Sequence, residues 1–298
     1  MRKPYSFVPF LQTKEFNPTG EKLKGKIYLI IEALTPVHIS SDYYEVNKKQ
    51  VLYKPFYKLS ENYSIPGTAM KGIVRGIAEC ISYSCISTNK KNINKLPKGK
   101  KRECKINTKT YENPCIVCSI FGAMGKRSKV KFSDFSLIEG KSNIIEIPIL
   151  RSPNNSNSNY FKDNKNQEYK GYKIYSHGVE KILQKGNVSY EFITKNSKFS
   201  GSIIYEDMTI DELSLLAFSL GITGDFHHKI GYGKPAYYGS IKVYLDEEKT
   251  TNSEEILKAA MNYKNNSPLD IKKNIEILNN EYNYNNAKKI SDWHNGMY

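Results

Sequence analysis

Two cations and two glycines recur at a four-residue spacing within one predicted helix. Residues 65–79 read Ile-Pro-Gly-Thr-Ala-Met-Lys-Gly-Ile-Val-Arg-Gly-Ile-Ala-Glu, and they include Lys71, Gly72, Arg75 and Gly76. Residues four apart share a helix face, so these four residues form one surface. Each glycine costs about 1 kcal/mol relative to alanine inside a helix. A flat positive surface that a polyanion backbone approaches closely would justify that cost. Packing of the helix on a sheet through its glycines is the alternative.

Apolar side chains recur at helical spacing through the same segment. They are Met70, Ile73, Val74, Ile77, Ala78 and Ile81. This stripe should be buried, so we expect residues 71, 72, 75 and 76 to face away from the core. Pro66 and Gly67 predict a turn before the helix, and Thr68 is the expected N-cap.

The cysteines suggest a metal site. Cys115 and Cys118 are separated by two residues, which is the spacing of a zinc knuckle, and Cys104 precedes them. Cys85 lies upstream and is the candidate for the fourth ligand of a structural zinc ion. Cys80 lies near the apolar face of the predicted helix and is assigned to the core. The alternative is that these thiols are reduced and bind no metal.

A second glycine-rich segment lies at 230–239, with the sequence Ile-Gly-Tyr-Gly-Lys-Pro-Ala-Tyr-Tyr-Gly. No Ser or Thr follows its Gly-Lys pair, which argues against a nucleotide-phosphate loop. It offers Gly233 for close backbone approach, Lys234 as a cation, and Tyr232 and Tyr237 as stacking rings. A tight turn with packed tyrosines is the alternative.

Residues suited to acid–base chemistry are sparse, and we predict no catalytic residue. Asp42 and Glu45 lie in a polar, Tyr-rich segment expected to be a loop, and His177 lies in a short ordered segment. These three are kept as weak candidates, because a histidine on a strand is more often structural and no partner carboxylate is apparent.

The formal net charge of +15 indicates an acidic partner, and nucleic acid is the default. A solvated lysine-rich surface is the alternative. Lys126, Arg127, Arg151 and Lys173 are further candidates for contacts with such a partner. The chain has no apolar run long enough for a membrane span and no signal-peptide pattern at its N-terminus, so we expect a cytoplasmic protein without membrane contact.

The predicted elements follow the order strand, helix, strands, helix, strand. The strands are expected at 26–34, 129–135, 144–150, 189–193, 199–205 and 240–245, and a capping box at 209–212 begins the second helix. This order predicts an α+β protein with a ferredoxin-like (RRM-like) βαββαβ core and long insertions. We assign 1–247 to this domain, with a cysteine-bearing basic insertion at 86–128 and a mobile loop at 151–172. Residues 248–298 form an extension with one helix near 254–263.

Several blocks of the chain resemble the RAMP superfamily of type III CRISPR effector complexes. Residues 65–75 resemble its Ile-Pro-Gly-(Ser/Thr)-x-x-Lys-Gly-x-x-Arg signature. The other blocks are 5–9, which resembles the "PYNFVPL" opening of one subfamily, 35–39, 118–122 with 130–134, 171–177 and 228–239.

The resemblance implies a subunit that holds guide RNA against target RNA, together with other effector subunits, in antiviral defence. Related backbone proteins often carry a zinc ion in the cysteine-bearing insertion. In RNA-slicing relatives an aspartate follows the first strand, and its position falls near 50–52, where this chain has no acid. We therefore expect RNA binding. The alternatives are an RNA endonuclease that cuts target RNA or processes precursor guide RNA, and a zinc-dependent structural partner without RNA contact.

Overall fold

A computed structural model describes residues 3–86, 90–104, 113–150, 158–162, 167–179, 186 and 188–289, and the structural statements below refer to these residues. The helices are α1 (Gly67–Cys80), α2 (Ile116–Phe121), α3 (Ile210–Ser219), α4 (Ser253–Asn266) and α5 (Leu269–Glu281). The strands of the first half are β1 (Tyr5–Pro9), β2 (Leu23–Ala33), β3 (Glu45–Val46), β4 (Leu52–Lys54), β5 (Lys58–Leu59), β6 (Asn62–Ile65), β7 (Val130–Phe132), β8 (Phe135–Glu139) and β9 (Ser142–Ile147). Those of the second half are β10 (Gly171–Tyr175), β11 (Gly178–Val179), β12 (Val188–Ile193), β13 (Lys198–Met208), β14 (His228–Lys229), β15 (Ser240–Leu245) and β16 (Lys288–Lys289).

The main sheet has the strand order β14-β15-β2-β13-β8-β6-β5, and β7 also pairs with β13. Its pairs are antiparallel. In β2, Ile27, Leu29 and Ile31 are fully buried and alternate with half-buried or exposed residues, as expected for a sheet with one covered face. Residues of α1 and α3 belong to the same buried cluster as these three, so the helices cover the inner face. The fold is therefore mixed α+β with antiparallel pairing.

The predicted strands exist, and most differ from the observed ones only at their ends. The strand at 240–245 coincides with β15. The segment at 129–135 is instead two strands, β7 and β8, interrupted at Ser133 and Asp134. There the Ser133 hydroxyl accepts a hydrogen bond from the Ser202 backbone, while the Asp134 carboxylate accepts one from Gly67 at the start of α1. The interruption thus serves to anchor a helix.

The prediction of a loop at 40–63 is wrong, because this segment carries the short strands β3 to β6. Strands β3 and β4 join β12 and β9 in a second, four-stranded sheet. The turn between β3 and β4 is organised by Asn47, whose side chain accepts hydrogen bonds from the backbone of Lys49 and Val51. The polar composition of this segment suggested a loop, although its turn residues form a hairpin.

The C-terminal region carries two helices where one was expected. Helix α4 packs on α3, and the unpredicted α5 buries Ile271, Ile275 and Leu278 in the main core cluster. The amide of Asn274 also donates to the backbone oxygens of Cys80 and Pro9. The predicted boundary between a domain at 1–247 and an extension stays a prediction. No described helix has the length and apolar character that crossing a membrane requires.

The predicted loop at 151–172 lies partly outside the described residues. Within its described part, the rings of Phe161 and Tyr169 stack with centroids 5.2 Å apart. Strand β10 follows and pairs with β1, so the N-terminal arm is ordered against it.

Candidate nucleic-acid interface and metal centre

Helix α1 is anchored at its N-terminus by a distant side chain. Thr68 is not its N-cap, which corrects the prediction, since the helix begins at Gly67 after Pro66 and has no side-chain cap from its own segment. Instead, Asp134 Oδ1 accepts a hydrogen bond from the Gly67 backbone nitrogen at 2.8 Å. A Cβ at position 67 would lie 2.4 Å from the Phe132 carbonyl oxygen, so only glycine fits. The sequence contains Asp134 in a recognisable block but gives no signal of its partner.

Gly72 and Gly76 of α1 lie on an open surface. Met70, Val74 and Ile77 are buried, as the apolar stripe predicts. At Gly72 and Gly76 an added Cβ would meet no described atom within 4 Å. The alternative that the glycines pack this helix on the sheet is therefore not supported by the described contacts. Their effect is to leave bare backbone at the helix surface.

Lys71 is a half-buried cation at the edge of this surface. Its Nζ donates to the Ser128 hydroxyl at 2.8 Å. Among the described residues, no carboxylate lies within ion-pair distance of it. Burial, with a smaller contribution from the charge of Arg75, lowers the pKa of Lys71. The side chain thus carries a positive charge that no described anion compensates.

Arg75 differs from Lys71 because its guanidinium is held by the chain itself. Its Nε donates to Glu79 Oε1 at 2.9 Å, Nη1 to the Gly122 carbonyl at 3.1 Å, and Nη2 to Cys118 Sγ at 3.7 Å. Burial acts to lower the pKa of Arg75, but the hydrogen bond and the charge of Glu79 outweigh it and raise the pKa above its usual value. The predicted contact of Arg75 with nucleic acid stays a prediction, and these three partners were not foreseen.

A basic turn at residues 122–128 flanks α1. Ser128 and Gly122 tie this turn to Lys71 and Arg75. On it, Lys126 is half-buried and Arg127 is exposed, and the described residues place no carboxylate within 4 Å of either cation. The turn that carries Lys126 and Arg127 therefore lies beside Lys71.

The glycines of the segment 230–239 are enclosed. Gly231 and Gly239 have φ angles of +72° and +77°, and an added Cβ would lie 2.0 Å from the backbone oxygens of His38 and Ile230, respectively. At Gly233 the nearest atom would be Tyr238 Cβ at 3.0 Å. These glycines allow the chain to pack on itself.

The cation and the rings of this segment are also engaged. Lys234 Nζ donates to the Gly231 carbonyl at 2.7 Å, and burial lowers the pKa of Lys234. Tyr237 is only 6% exposed, and one face of Tyr232 stacks on Tyr190 with centroids 4.7 Å apart. The tight turn with packed tyrosines, offered as the alternative, describes this arrangement. RNA contacts by Tyr232, Gly233, Lys234 and Tyr237 stay predictions.

Two further predicted contacts lie elsewhere. Lys173, on β10, places its Nζ 4.1 Å from the centre of the Tyr5 ring and 3.0 Å from the Tyr160 hydroxyl. Burial lowers the pKa of Lys173 to about 8. Arg151 lies outside the described residues.

The weak catalytic candidates have different surroundings, and the expectation of no catalytic residue stays a prediction. Asp42 is exposed, and Glu45 accepts a hydrogen bond from the Tyr53 hydroxyl. His177 is 1% exposed, with its ring nitrogens near the Ser240 hydroxyl and the His227 carbonyl, and burial lowers its pKa well below the usual value. This environment is that of a structural histidine.

Four cysteines from three segments of the chain meet in one cluster, in which three are buried and Cys104 is partly exposed. The sulfurs of Cys85, Cys104, Cys115 and Cys118 all lie within 4.8 Å of one another. Tetrahedral zinc with bonds of about 2.3 Å requires sulfurs roughly 3.8 Å apart. The Cys115–Cys85 distance of 3.7 Å is close to this, and Cys85–Cys118 is 3.3 Å.

The surroundings of the sulfurs also suit a metal. The backbone N–H groups of Cys85 and Cys115 each donate to a neighbouring cysteine sulfur at 3.4 Å. Hydrogen bonds among the four thiols lower the pKa of Cys104 and raise those of Cys85 and Cys118, as expected when neighbouring thiols titrate together. The cluster includes Cys85, as the sequence suggested for the fourth ligand, and leaves Cys80 in the core. It is compatible with a structural metal such as zinc.

The fold and the site define an α+β protein that has an open glycine face on α1, a lysine at the edge of that face and a cluster of four cysteines. The model of the RAMP superfamily matches residues 30–242, well over half of the chain, and the chain belongs to this superfamily. RAMP proteins are generally CRISPR-associated and bind RNA. A search of curated proteins found no match.

Proposed function

We propose that the chain is a guide RNA-binding backbone subunit of a type III CRISPR effector complex in antiviral defence. Membership of the RAMP superfamily supports the general role, and the N-terminal block at 5–9 supports the subfamily. The proposal includes a ferredoxin-like core built from β2, α1, β7 with β8, β13, α3 and β15. The order β15-β2-β13-β8 in the main sheet supports that assignment.

The observation that carries the proposal is the open glycine face of α1. A phosphodiester backbone approaches Gly72 and Gly76 without meeting a Cβ, while Lys71 supplies an uncompensated charge at the edge. Lys126 and Arg127 extend the positive surface along the flanking turn. Contacts of this kind recognise phosphate and sugar, which leaves base identity to pairing between guide and target.

A structural zinc ion held by the four cysteines belongs to the same proposal. When bound, zinc cross-links the segments that carry Cys85, Cys104 and Cys115 with Cys118, and such cross-links contribute directly to folding. Elemental analysis should then find one zinc per chain.

The proposal is tested by purifying the tagged chain from its source cells under native conditions. We expect short RNAs that match a CRISPR array to co-purify, together with other effector subunits identified by mass spectrometry. Recovery of a chain without RNA and without such subunits would contradict the proposal.

RNA endonuclease activity is the alternative, and the same purified material separates it from binding. Metal-dependent cutting of complementary RNA that disappears with Asp42→Ala would establish it. We expect no cutting by this subunit, because the turn at Gln50, near which a slicing aspartate is expected, offers no acid.

A further inference from the structure

Arg75 joins α1 to the metal-binding helix α2. Helix α2 begins after Cys115, contains Cys118 and ends at Phe121, with Gly122 as its C-cap. The Arg75 guanidinium donates both to the sulfur of Cys118 and to the carbonyl of Gly122, so it holds α2 at two points. Glu79, one turn further along α1, fixes the orientation of the guanidinium.

Charge balance favours a cation at this position. Four thiolates around a divalent ion carry a net charge of −2, and a buried charge is costly unless it is paired and hydrogen-bonded. Arg75 places one positive charge at a sulfur and shares it with the Glu79 carboxylate, so it offsets part of this charge. Lys100, only 6% exposed, supplies another beside Cys85, where its Nζ donates to the Ser84 carbonyl at 2.7 Å.

The same geometry argues against a phosphate contact by Arg75. Turning the guanidinium outward would break its bonds to Glu79, Gly122 and Cys118 together. It would also leave Glu79, which is 8% exposed, as a buried carboxylate without its cation. Truncating one partner of such a pair is expensive because the other charge remains buried.

We propose that Arg75 is a positioning residue of the metal centre, which hydrogen-bonds the Cys118 thiolate and fixes α2 against α1. When the centre holds its metal, it then fixes the basic turn at 122–128 in position beside the open glycine face. The planar guanidinium serves three acceptors at once, which the single ammonium of a lysine cannot do. The consequence for RNA rests on the proposed function above, whereas the consequence for metal binding does not.

The test uses the full zinc-loaded chain and measures zinc affinity by competition with a chromophoric chelator. We expect Arg75→Gln to lower zinc affinity about 10- to 100-fold, as is typical for partners of metal ligands, and to change the visible spectrum of the cobalt-substituted protein. Lys101→Gln is the matched control, because it removes an exposed cation three residues from Cys104, and its zinc affinity should equal that of wild type. Unchanged zinc affinity and cobalt spectrum in Arg75→Gln would overturn the proposal.

Arg75→Lys covers the case in which Arg75→Gln does not fold. This variant keeps the positive charge but loses the planar guanidinium with its several donors. We therefore expect its zinc affinity to lie between those of wild type and Arg75→Gln. Wild-type zinc affinity and cobalt spectrum in Arg75→Lys would also count against the proposal.

RNA binding provides the second readout. At saturating zinc, Arg75→Gln should keep the wild-type dependence of RNA affinity on salt. If Arg75 instead contacts a phosphate, the slope of log affinity against log salt should fall by about 0.7 while zinc affinity stays unchanged. Wild-type protein that binds no RNA would contradict the proposed function and leave the zinc result interpretable.

Discussion

Two glycine-rich segments of the described chain, each with a neighbouring lysine, differ in what surrounds their glycines. On α1, a Cβ at Gly72 or Gly76 would meet nothing within 4 Å. In the segment 230–239, a Cβ at Gly231 or Gly239 would lie 2.0 Å from a backbone oxygen. The first pair therefore leaves space for a partner from outside, and the second allows the protein to pack on itself.

The two lysines follow the same division. Lys234 donates to a carbonyl of its own loop, whereas Lys71 reaches a neutral hydroxyl at the margin of an open surface. A segment with glycine and lysine thus indicates that another chain comes close to its backbone. The sequence does not say whether that chain is a partner or another part of the same protein. The comparison favours α1 over the segment 230–239 as the RNA-binding surface of the proposal.

The largest expected effect is a loss of folding stability at acidic pH, caused by the buried histidines near the segment 230–239. Four of the five histidines lie in the described residues, and all four are buried. Burial lowers the pKa of His38, His227 and His228 to about 4, against roughly 6.5 in an unfolded chain. The unfolded chain therefore binds more protons between these values, so the unfolding free energy is greatest above pH 6.5 and falls towards pH 4.

At about pH 5 the loss should be on the order of 2 kcal/mol for each of these three histidines, or roughly 6 kcal/mol together. Urea unfolding at neutral and mildly acidic pH measures it. An unfolding free energy that does not change across this window would show that the histidines are not buried as described.

A smaller loss is expected from a single methyl group in the loop. Gly231→Ala places a Cβ 2.0 Å from the His38 carbonyl at a positive φ, so we expect a loss of about 3 kcal/mol in unfolding free energy. Gly76→Ala is the matched control and should stabilise the protein by about 0.5–1 kcal/mol, because nothing opposes its Cβ. Equal stability of the two variants would remove the distinction between the regions.

The third effect concerns RNA affinity at the helix. Gly72→Leu should weaken binding of single-stranded RNA about tenfold, which corresponds to about 1.4 kcal/mol, because the side chain holds the backbone away from α1. Gly72→Ala should weaken it less, and neither variant should lose thermal stability, since the position is open. Filter binding and thermal melts of both variants provide the measurement, and wild-type affinity in Gly72→Leu would show that RNA lies elsewhere.

Local patterns account for much of the fold. The apolar stripe of α1, the strand at 240–245 and the Thr209–Glu212 capping box were all predicted, and the structure has them. Each depends on residues close in sequence, where spacing determines which face is buried. The set of four cysteines was also found, because thiols suited to a metal are few in this chain.

The remainder depends on contacts between distant segments. Asp134 caps α1 across 67 residues, and Arg75 reaches Cys118 across 43 residues. Periodicity placed Arg75 on a polar face and could not show that α2 would meet it there. The hairpin at 45–54 and helix α5 were missed because polar, Asn- and Lys-rich sequence obscured short apolar patterns.

The most direct measurement is the salt dependence of RNA binding by wild type, Lys71→Gln and Lys258→Gln. Lys258 lies on α4, its side chain is 76% exposed, and it pairs with Glu254, so it controls for the loss of one positive charge. We predict that Lys71→Gln lowers the slope of log affinity against log salt by about 0.7, alike for unrelated single-stranded sequences, and that Lys258→Gln leaves it unchanged. A Lys71→Gln slope equal to that of wild type would contradict the assignment of the α1 face to the RNA backbone.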